Sequence, residues 1–508
     1  MLCFTSFRRF TYILTFALCA LMLSVISAQD ETPVPRELPD AGLILNEEGV
    51  QDGYVLVSML QSHYALLVST DGRIVKTWES GYGPALSAYI LDDGSLIRAA
   101  ARPDAPFGPV GINGYMGGYI EIFDWDGNLT STVEYMTDDI VPHHDIRPMP
   151  SGNILVLAHE RFTREAAVAM GRDPEILPED GSLWTETVLE IEPVSGDVVW
   201  QWRVWDHLIQ DFDESLPNYG VVADHPEKIN LNYHDGDTSA DWLHANAVAY
   251  NAALDQIVIS NKNFSEIWIV DHSQDTETTS GEAGDLLYRW GNLEAYNAGT
   301  DEEQILFAQH DSYWIPDGYP GAGNIMILDN GAPERPYSRV AEITPPLLED
   351  GTYEMPTDSK TALASLTWSY VADPPEEFYA EYISGAQRQP NGNTLVMSGP
   401  YGRIFEVTAE GETVWEYQLP ATARAFRAEK YDLSAFADFD TGQDLTNELR
   451  FNDPVWSADC QDDTQQLLHP YLANELESME LFIGTYGEAE AEATWQGEAC
   501  AEHDGLVE

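Results

Sequence analysis

Between about Leu43 and Leu419 the chain alternates two kinds of strand-like segment. The first kind is an apolar run, a turn built on Asp-Gly or a close relative, and a second run ending in an aromatic residue. It occurs six times: HYALLVSTDGRIVKTW to Trp78, GYIEIFDWDGNLTSTVEY to Tyr135, TVLEIEPVSGDVVWQW to Trp202, SEIWIVD with a long turn to LLYRW at Trp290, SRVAEITPPLLEDGTYEM with a longer return to Trp368, and GRIFEVTAEGETVWEY to Trp415. Between these hairpins lie segments of a second kind, in which a short turn is followed by a β-branched run. ALSAYILDDGSLIRAA and ISGAQRQPNGNTLVMSG are two of them, three more carry a histidine, and AGLILNEEGVQDGYVLVS is a degenerate sixth. Runs of this length, bounded by Gly, Pro, Asn and Asp, read as strands, and no amphipathic helical stretch rivals them. A four-stranded unit of this kind is too exposed to stand alone, and stacking such units radially buries a common core. The pattern predicts an all-β fold, a six-bladed β-propeller over residues 43–422.

The three histidine segments are HHDIRPMPSGNILVLAHE with His144, DWLHANAVAYNAALDQIVISNK with His244, and QHDSYWIPDGYPGAGNIMILDNG with His310. In each, the imidazole precedes a turn and a β-branched run, so the three occupy equivalent places in successive repeats. Equivalent inner positions of a closed ring converge on its axis. Strand alternation puts Asn246 on the same face as His244, and antiparallel pairing of the following segment, ISNKNFSEIWIVD, is expected to bring the Lys262 ammonium near His244. The same alternation turns Asp145 and Asp311 away from the faces of their neighbouring histidines, so these carboxylates are expected to hold blade loops rather than act as bases.

The ends of the chain are different in character. Arg8 and Arg9 precede an apolar run from Tyr12 to Ile26 and then Ser27-Ala28-Gln29, the pattern of a secretory signal peptide over residues 1–28. Residues 29–42 are a Pro-, Glu- and Asp-rich lead-in expected to be disordered. Residues 423–508 form an acidic extension containing Cys460 and Cys500, the two cysteines outside the signal segment. In an exported chain these two pair most simply as a disulfide worth roughly 3–4 kcal/mol. The expected location is extracytoplasmic, secreted or periplasmic, with no stable membrane insertion of the mature chain.

Charge narrows the partners. The formal net charge is −62, with five lysines against nineteen arginines. Such a surface disfavours nucleic acid and acidic membranes and repels anions at long range. It suits a saline medium, where screening confines self-repulsion to about 8–10 Å or less. An anionic substrate would therefore require a local cationic exception, for which the central histidines, Lys262, Arg147, Arg161, Arg388 and Arg403 are the candidates.

Three imidazoles at one axis admit two chemistries. They could ligate zinc, copper or iron, which would make the protein a metal-dependent hydrolase or lyase, although no carboxylate or thiolate stands at obvious ligand spacing. Alternatively one imidazole attacks and the others bind the transferred group, since a pKa near about 6.5 leaves a neutral nucleophilic nitrogen at neutral pH. A secreted binding propeller without catalysis is the non-enzymatic alternative.

HHDI, DWLHANAV, RWGN followed by QHDSYWIPDG, and SGAQRQPNGNTL occur in this order, and over roughly Gly53 to Arg427 the chain resembles the bacterial aryl sulfate sulfotransferases. The resemblance implies a six-bladed propeller with no cofactor. It also implies transfer of a sulfuryl group from a phenolic sulfate ester to a phenol, ping-pong through a sulfohistidine and independent of a nucleotide sulfate donor. His310 would be the nucleophile, His244 with Asn246 the acid/base and sulfate-binding pair, and His144, rather than His143, the remaining pocket histidine. Lys262 stands where the family carries an arginine, supplying charge without the planar fork that grips two oxygens. The expected partners are a small aryl sulfate and a phenol. Tyr313, Trp314 and Tyr401 are candidates to stack on the aryl group, and Arg388, Arg403 and His143 to assist in binding.

Overall fold

The apolar runs form strands, and the strands pair antiparallel into six propeller sheets. The computed structural model describes residues 39–60, 62–102, 117–178, 181–234, 239–363, 365–420 and 423–435. The signal segment, most of the lead-in, Cys460, Cys500 and the rest of the tail beyond 435 lie outside the described residues.

Four of the blades are built from consecutive strands. Blade 2 runs Pro84–Ile90, Leu96–Ala101, Gly118–Phe123 and Leu129–Glu134. Its innermost strand is buried at every position, whereas its outermost strand buries only Val133. This gradient explains why the inner segments read as unbroken apolar runs and the outer ones as alternating. Blade 3 comprises Ile140–Pro148, Ile154–Phe162, Leu183–Ile191 and Val198–Arg203. Blade 4 comprises Ala245–Asn251, Gln256–Asn261, Glu266–Asp271 and Tyr288–Trp290. Blade 5 comprises His310–Trp314, Ile325–Asp329, Arg339–Ile343 and Leu366–Tyr370.

Blades 6 and 1 close the ring by exchanging ends. Blade 6 (Gly385–Arg388, Thr394–Ser398, Arg403–Val407, Thr413–Gln418) takes the amino-terminal strand Gly42–Asn46 as a fifth, outermost member. Blade 1 (Tyr54–Met59, Tyr64–Ser69, Ile74–Glu79) takes its innermost strand from Ala425–Tyr431, beyond the residue 422 at which the sequence pattern ends. The degenerate segment AGLILNEEGVQDGYVLVS is thus not an inner hairpin: its two halves belong to different blades. Its irregular pattern follows from that split, because Gly42–Asn46 is an edge strand with alternating exposure and Tyr54–Met59 lies inside a sheet.

In five of the six outer hairpins the terminal aromatic is a tryptophan that bonds the next blade. The indole Nε1–H of Trp78 donates to Asp124 C=O at 3.0 Å, Trp202 to Gly284 C=O at 2.7 Å and Trp290 to Ala362 C=O at 2.7 Å. Trp368 donates to Ala409 C=O at 3.0 Å, and Trp415 closes the circle on Thr70 C=O at 2.7 Å. Each acceptor lies between the third and fourth strands of the following blade. An indole suits this place because it fills the inter-blade space and carries one donor at its edge. Trp290 is fully buried and Trp368 only partly so. Trp290→Phe is therefore expected to cost about 1–3 kcal/mol, and Trp368→Phe clearly less. Paired denaturant titrations check this, and equal losses would show that the indole donor contributes nothing beyond ring volume.

No helix among the described residues is long and apolar enough to cross a membrane.

Candidate active site

The inner strands do not run straight past the axis. Their registers break at Pro84/Ala88 in blade 2, opposite Val156/Ala158 in blade 3, at Ala245/Ala247 in blade 4 and at His310/Tyr313 in blade 5. At or beside these breaks stand residues with positive φ: Leu86 (87°), His144 (53°), His244 (50°) and Asp311 (54°). Non-glycine residues adopt this conformation rarely, and bulges re-aim the side chains they carry. Three of the four bulges carry a cluster histidine at or beside the positive-φ residue.

The rings of His144 and His244 lie 4.8 Å apart, centroid to centroid, in an edge arrangement. Phe426, from the closing strand of blade 1, stands edge-on to His144 at 6.2 Å and to the third member, His310, at 5.9 Å. Each imidazole is tied from behind through Nδ1. His244 Nδ1 bonds Asp241 Oδ2. His310 Nδ1 lies 2.7 Å from Asn330 Oδ1 and 3.0 Å from Ala308 C=O. Asn330 is itself oriented by donating Nδ2–H to Ala380 C=O at 2.7 Å and Ile383 C=O at 2.8 Å, so Oδ1 faces His310 and the imidazole must donate. His144 Nδ1 lies 2.7 Å from His143 Nδ1. No hydrogen bond from a described residue reaches Nε2 of these three rings, and Nε2 is the nitrogen each one presents.

Burial is the main electrostatic fact of the cluster. It pushes the His310 imidazolium pKa down to about 3, helped by the nearby His244 and Lys262 and opposed by Asn330. It holds His144 well below the ordinary histidine value, with His244, His143 and His310 adding to the effect. His310 and His144 are therefore neutral at neutral pH, with free Nε2 lone pairs. Asp241 is shifted the other way: burial opposes its charge, but His244, His159 and Lys262 outweigh this and keep it ionised.

Lys262 sits in the turn between the second and third strands of blade 4, and its main-chain N–H donates to His244 C=O at 3.2 Å. Asn246 is fully buried and donates Nδ2–H to Gln309 C=O at 2.8 Å, the residue before His310. Asp145 and Asp311 hold inner strands of the neighbouring blades rather than the blade loops expected from the sequence. Asp145 Oδ2 accepts Val248 N–H at 3.0 Å, and Asp311 Oδ2 accepts Ala386 N–H at 3.0 Å. Both also pair with Arg427, at 3.1 and 3.3 Å respectively.

Several candidates are not brought to the cluster. Arg388 bonds Glu342 at 2.5 Å and lies over Trp368, while Arg403 grips both oxygens of Glu416 at 2.9 and 3.0 Å. Arg147 stacks on Tyr89, Arg161 on Trp184, and the Tyr401 hydroxyl bonds Glu381. Tyr313 receives Arg388 N–H at 2.7 Å, and Trp314 packs in the core between blades 4 and 5. His143, by contrast, does reach the cluster through His144 Nδ1, and is itself stacked on His159 at 3.5 Å with its Nε2 2.7 Å from Glu186 Oε2.

His143, His159 and Glu186 have the composition of a metal site. In this structure Glu186 joins the two imidazoles directly, its Oε2 2.7 Å from His143 Nε2 and its Oε1 3.3 Å from His159 Nδ1. The sequence pattern missed Asp241, Glu186, His159, Asn330, Phe426 and Arg427. Asp241 was signalled by its place three residues before His244, and Glu186 by its register directly opposite His159.

Comparison with known proteins gives the following. The family model described as Arylsulfotransferase (ASST) matches residues 110–435. No curated protein matches. Among solved structures, a Bacteroides caccae protein of unknown function is similar at 11% identity and TM-score 0.41, over 74% of this chain and 99% of its own. A virginiamycin B lyase from Staphylococcus aureus is similar at 11% identity and TM-score 0.35, over 75% of this chain and 85% of its own. A putative 6-phosphogluconolactonase from Bacteroides fragilis is similar at 13% identity and TM-score 0.38, over 77% and 99%.

Proposed function

The chain belongs to the arylsulfotransferase (ASST) family, and on that premise we propose that it moves a sulfuryl group from a phenolic sulfate ester to a phenol in two steps through His310. The observation that carries this reading is the shared arrangement of His144, His244 and His310: each is bonded at Nδ1, and no hydrogen bond from a described residue occupies its Nε2. In the first step His310 Nε2 attacks sulfur, the S–O bond breaks, and His244, backed by Asp241, protonates the departing phenolate. In the second step the acceptor oxygen bonds sulfur as its proton passes to a neighbouring imidazole, and the S–N bond breaks with its electron pair returning to His310 Nε2. Negative charge on the three equatorial oxygens calls for fixed donors rather than strong bases. Lys262 supplies charge there, and Asn246 holds the main chain beside His310. The balance needs no nucleotide and no metal.

The test is release of 4-nitrophenol from 4-nitrophenyl sulfate with and without added phenol in moderate salt. Acceptor-dependent release supports transfer, and absence of release with every acceptor would move the assignment to a binding propeller.

Two further outcomes are expected. Lys262→Ala lowers kcat/KM for the ester about 10²-fold, the worth of one oxyanion donor, whereas Lys262→Arg keeps or raises it by restoring a planar fork. Steady-state kinetics on both decide this, and an alanine variant with unchanged kcat/KM contradicts it. The second concerns pH. Because burial holds the His310 pKa near 3, lowering pH from about 7 to about 5 leaves His310 neutral and the first-step burst intact. A burst that falls with a midpoint near the ordinary value of about 6.5 would contradict the assignment.

The amino-terminal pattern carries a companion proposal, an extracytoplasmic enzyme cleaved after Ala28. Terminal sequencing of the exported protein is expected to begin at Gln29, and retention of residues 1–28 would overturn it.

A further inference from the structure

His144 differs from the other two imidazoles in what stands behind it. His244 is backed by a carboxylate and His310 by a carboxamide and a carbonyl, but His144 is backed by another imidazole, His143, and that one by Glu186. Glu186 is buried on the third strand of blade 3. Its Oε1 accepts Ala245 N–H at 3.0 Å and lies 3.3 Å from His159 Nδ1, and its Oε2 lies 2.7 Å from His143 Nε2. Burial opposes ionisation of Glu186, but His159 and His143 outweigh it and hold its pKa down to about 2, so the group is a carboxylate and accepts. His143 must then carry its proton on Nε2. Burial and the adjacent His159 keep His143 neutral, near pKa 4, which leaves a bare lone pair on Nδ1. Across the 2.7 Å contact His144 has to be the donor, so its proton is on Nδ1 and its Nε2 is a lone pair.

We propose that Glu186, acting through His143, is a positioning residue that fixes the tautomer of His144, so that His144 Nε2 serves as the base for the incoming phenol while His244 remains the acid for the outgoing one. This deepens the sulfuryl-transfer reading and rests on it. In the second step the phenol O–H bond breaks toward His144 Nε2 as its oxygen bonds sulfur. The S–N bond breaks, and its electron pair returns to His310 Nε2. The positive charge gained by His144 is drawn through His143 toward Glu186. His244 has meanwhile lost a proton to the first phenol, and transfer from His144 to His244, whose rings adjoin at 4.8 Å, restores both. The other titratable groups facing these imidazoles are His159, stacked on His143 and held up by Glu186 and Asp241 against the effect of burial, and Asp241 with Lys262 beside it.

Glu186→Gln is the informative substitution. The amide keeps an acceptor for Ala245 N–H but presents N–H to His143, which reverses both tautomers and places a proton on His144 Nε2. Acceptor-dependent turnover with phenol itself is expected to fall about 10²-fold, the usual worth of a general base. The loss should shrink with a polyfluorinated phenol already ionised in the assay, and the 4-nitrophenol burst should fall far less than turnover. A purely structural role would lower burst and turnover together, whichever phenol accepts, and that result overturns the proposal. A measurement on the unaltered protein needs no variant to fold: imidazole ¹⁵N resonances should show His144 protonated at Nδ1 and bare at Nε2. The opposite tautomer overturns the proposal even if transfer is active. A wild type with this tautomer but no burst from 4-nitrophenyl sulfate overturns the transfer reading, and the assignment of a base with it.

Discussion

Replacing His310 with alanine is expected to abolish sulfuryl transfer, lowering acceptor-dependent release from 4-nitrophenyl sulfate by about 10⁴-fold or more, as removal of a nucleophile does elsewhere. Three features of the site make the effect this large. His310 is almost wholly buried, so no solvent nucleophile takes its place without a rearrangement. Its Nδ1 is committed to Asn330 and Ala308, which leaves Nε2 as the one attacking atom. The other two imidazoles are held by different partners, His244 by Asp241 and His144 by His143, so neither can swing into the vacated position without breaking its own bond. The substitution also leaves Asn330 Oδ1 without its donor, a cost of about 1–3 kcal/mol. Circular dichroism and a denaturant titration alongside the assay separate that loss from loss of chemistry. A folded His310→Ala protein that still transfers would require a different nucleophile.

The largest effect on stability is expected from Arg427→Met. Arg427 projects from the closing strand of blade 1 to Asp145 of blade 3 and Asp311 of blade 5, and its Nη1 donates to the Tyr89 hydroxyl of blade 2. One side chain thus links four blades at the axis. Burial raises the pKa of Asp311, and Arg427 is the leading influence that opposes the rise. Methionine keeps most of the volume but leaves two buried carboxylates without their cation, a situation that costs about 3–5 kcal/mol. A double substitution, Arg427→Met with Asp311→Asn, should recover part of the loss, because one of the stranded charges is gone. Denaturant titrations of both proteins check this. If Arg427→Met lowers stability by less than about 1 kcal/mol, the cross-axis pairing is not what holds the ring together.

Much of this architecture was legible along the chain, and the reasons differ by element. The six aromatic-ended hairpins were readable because the fourth strand of blades 1, 2, 3 and 5 is partly exposed, so alternation survives there in the sequence, and because five of the aromatics are tryptophans with the same bonding task. Closure was not readable. Ala425–Tyr431 is an inner strand whose partner, Tyr54–Met59, lies at the other end of the chain, and nothing in local periodicity records a partner so distant. The same separation hid Phe426 and Arg427.

Within the site, the three histidines were visible because bulges place them at repeated positions. The supporting groups were visible only where they are near in sequence or in register. Asp241 is three residues from His244, and Glu186 pairs with His159 across one ladder. Asn330 reaches His310 from the far end of the neighbouring strand and carried no comparable sign. Arg388 and Arg403 illustrate the opposite error. Sequence reasoning asked for cations near an anionic substrate, but in so acidic a chain these arginines are taken up by adjacent glutamates, Glu342 and Glu416.

The central claim is that His310 carries the sulfuryl group between donor and acceptor. Wild-type protein mixed with 4-nitrophenyl sulfate in the absence of any phenol, quenched at alkaline pH and digested, should yield the peptide containing His310 with the mass of one added SO₃, acid-labile and lost on chasing with phenol. Transfer activity with no such adduct, or with the adduct on another residue, would contradict the account.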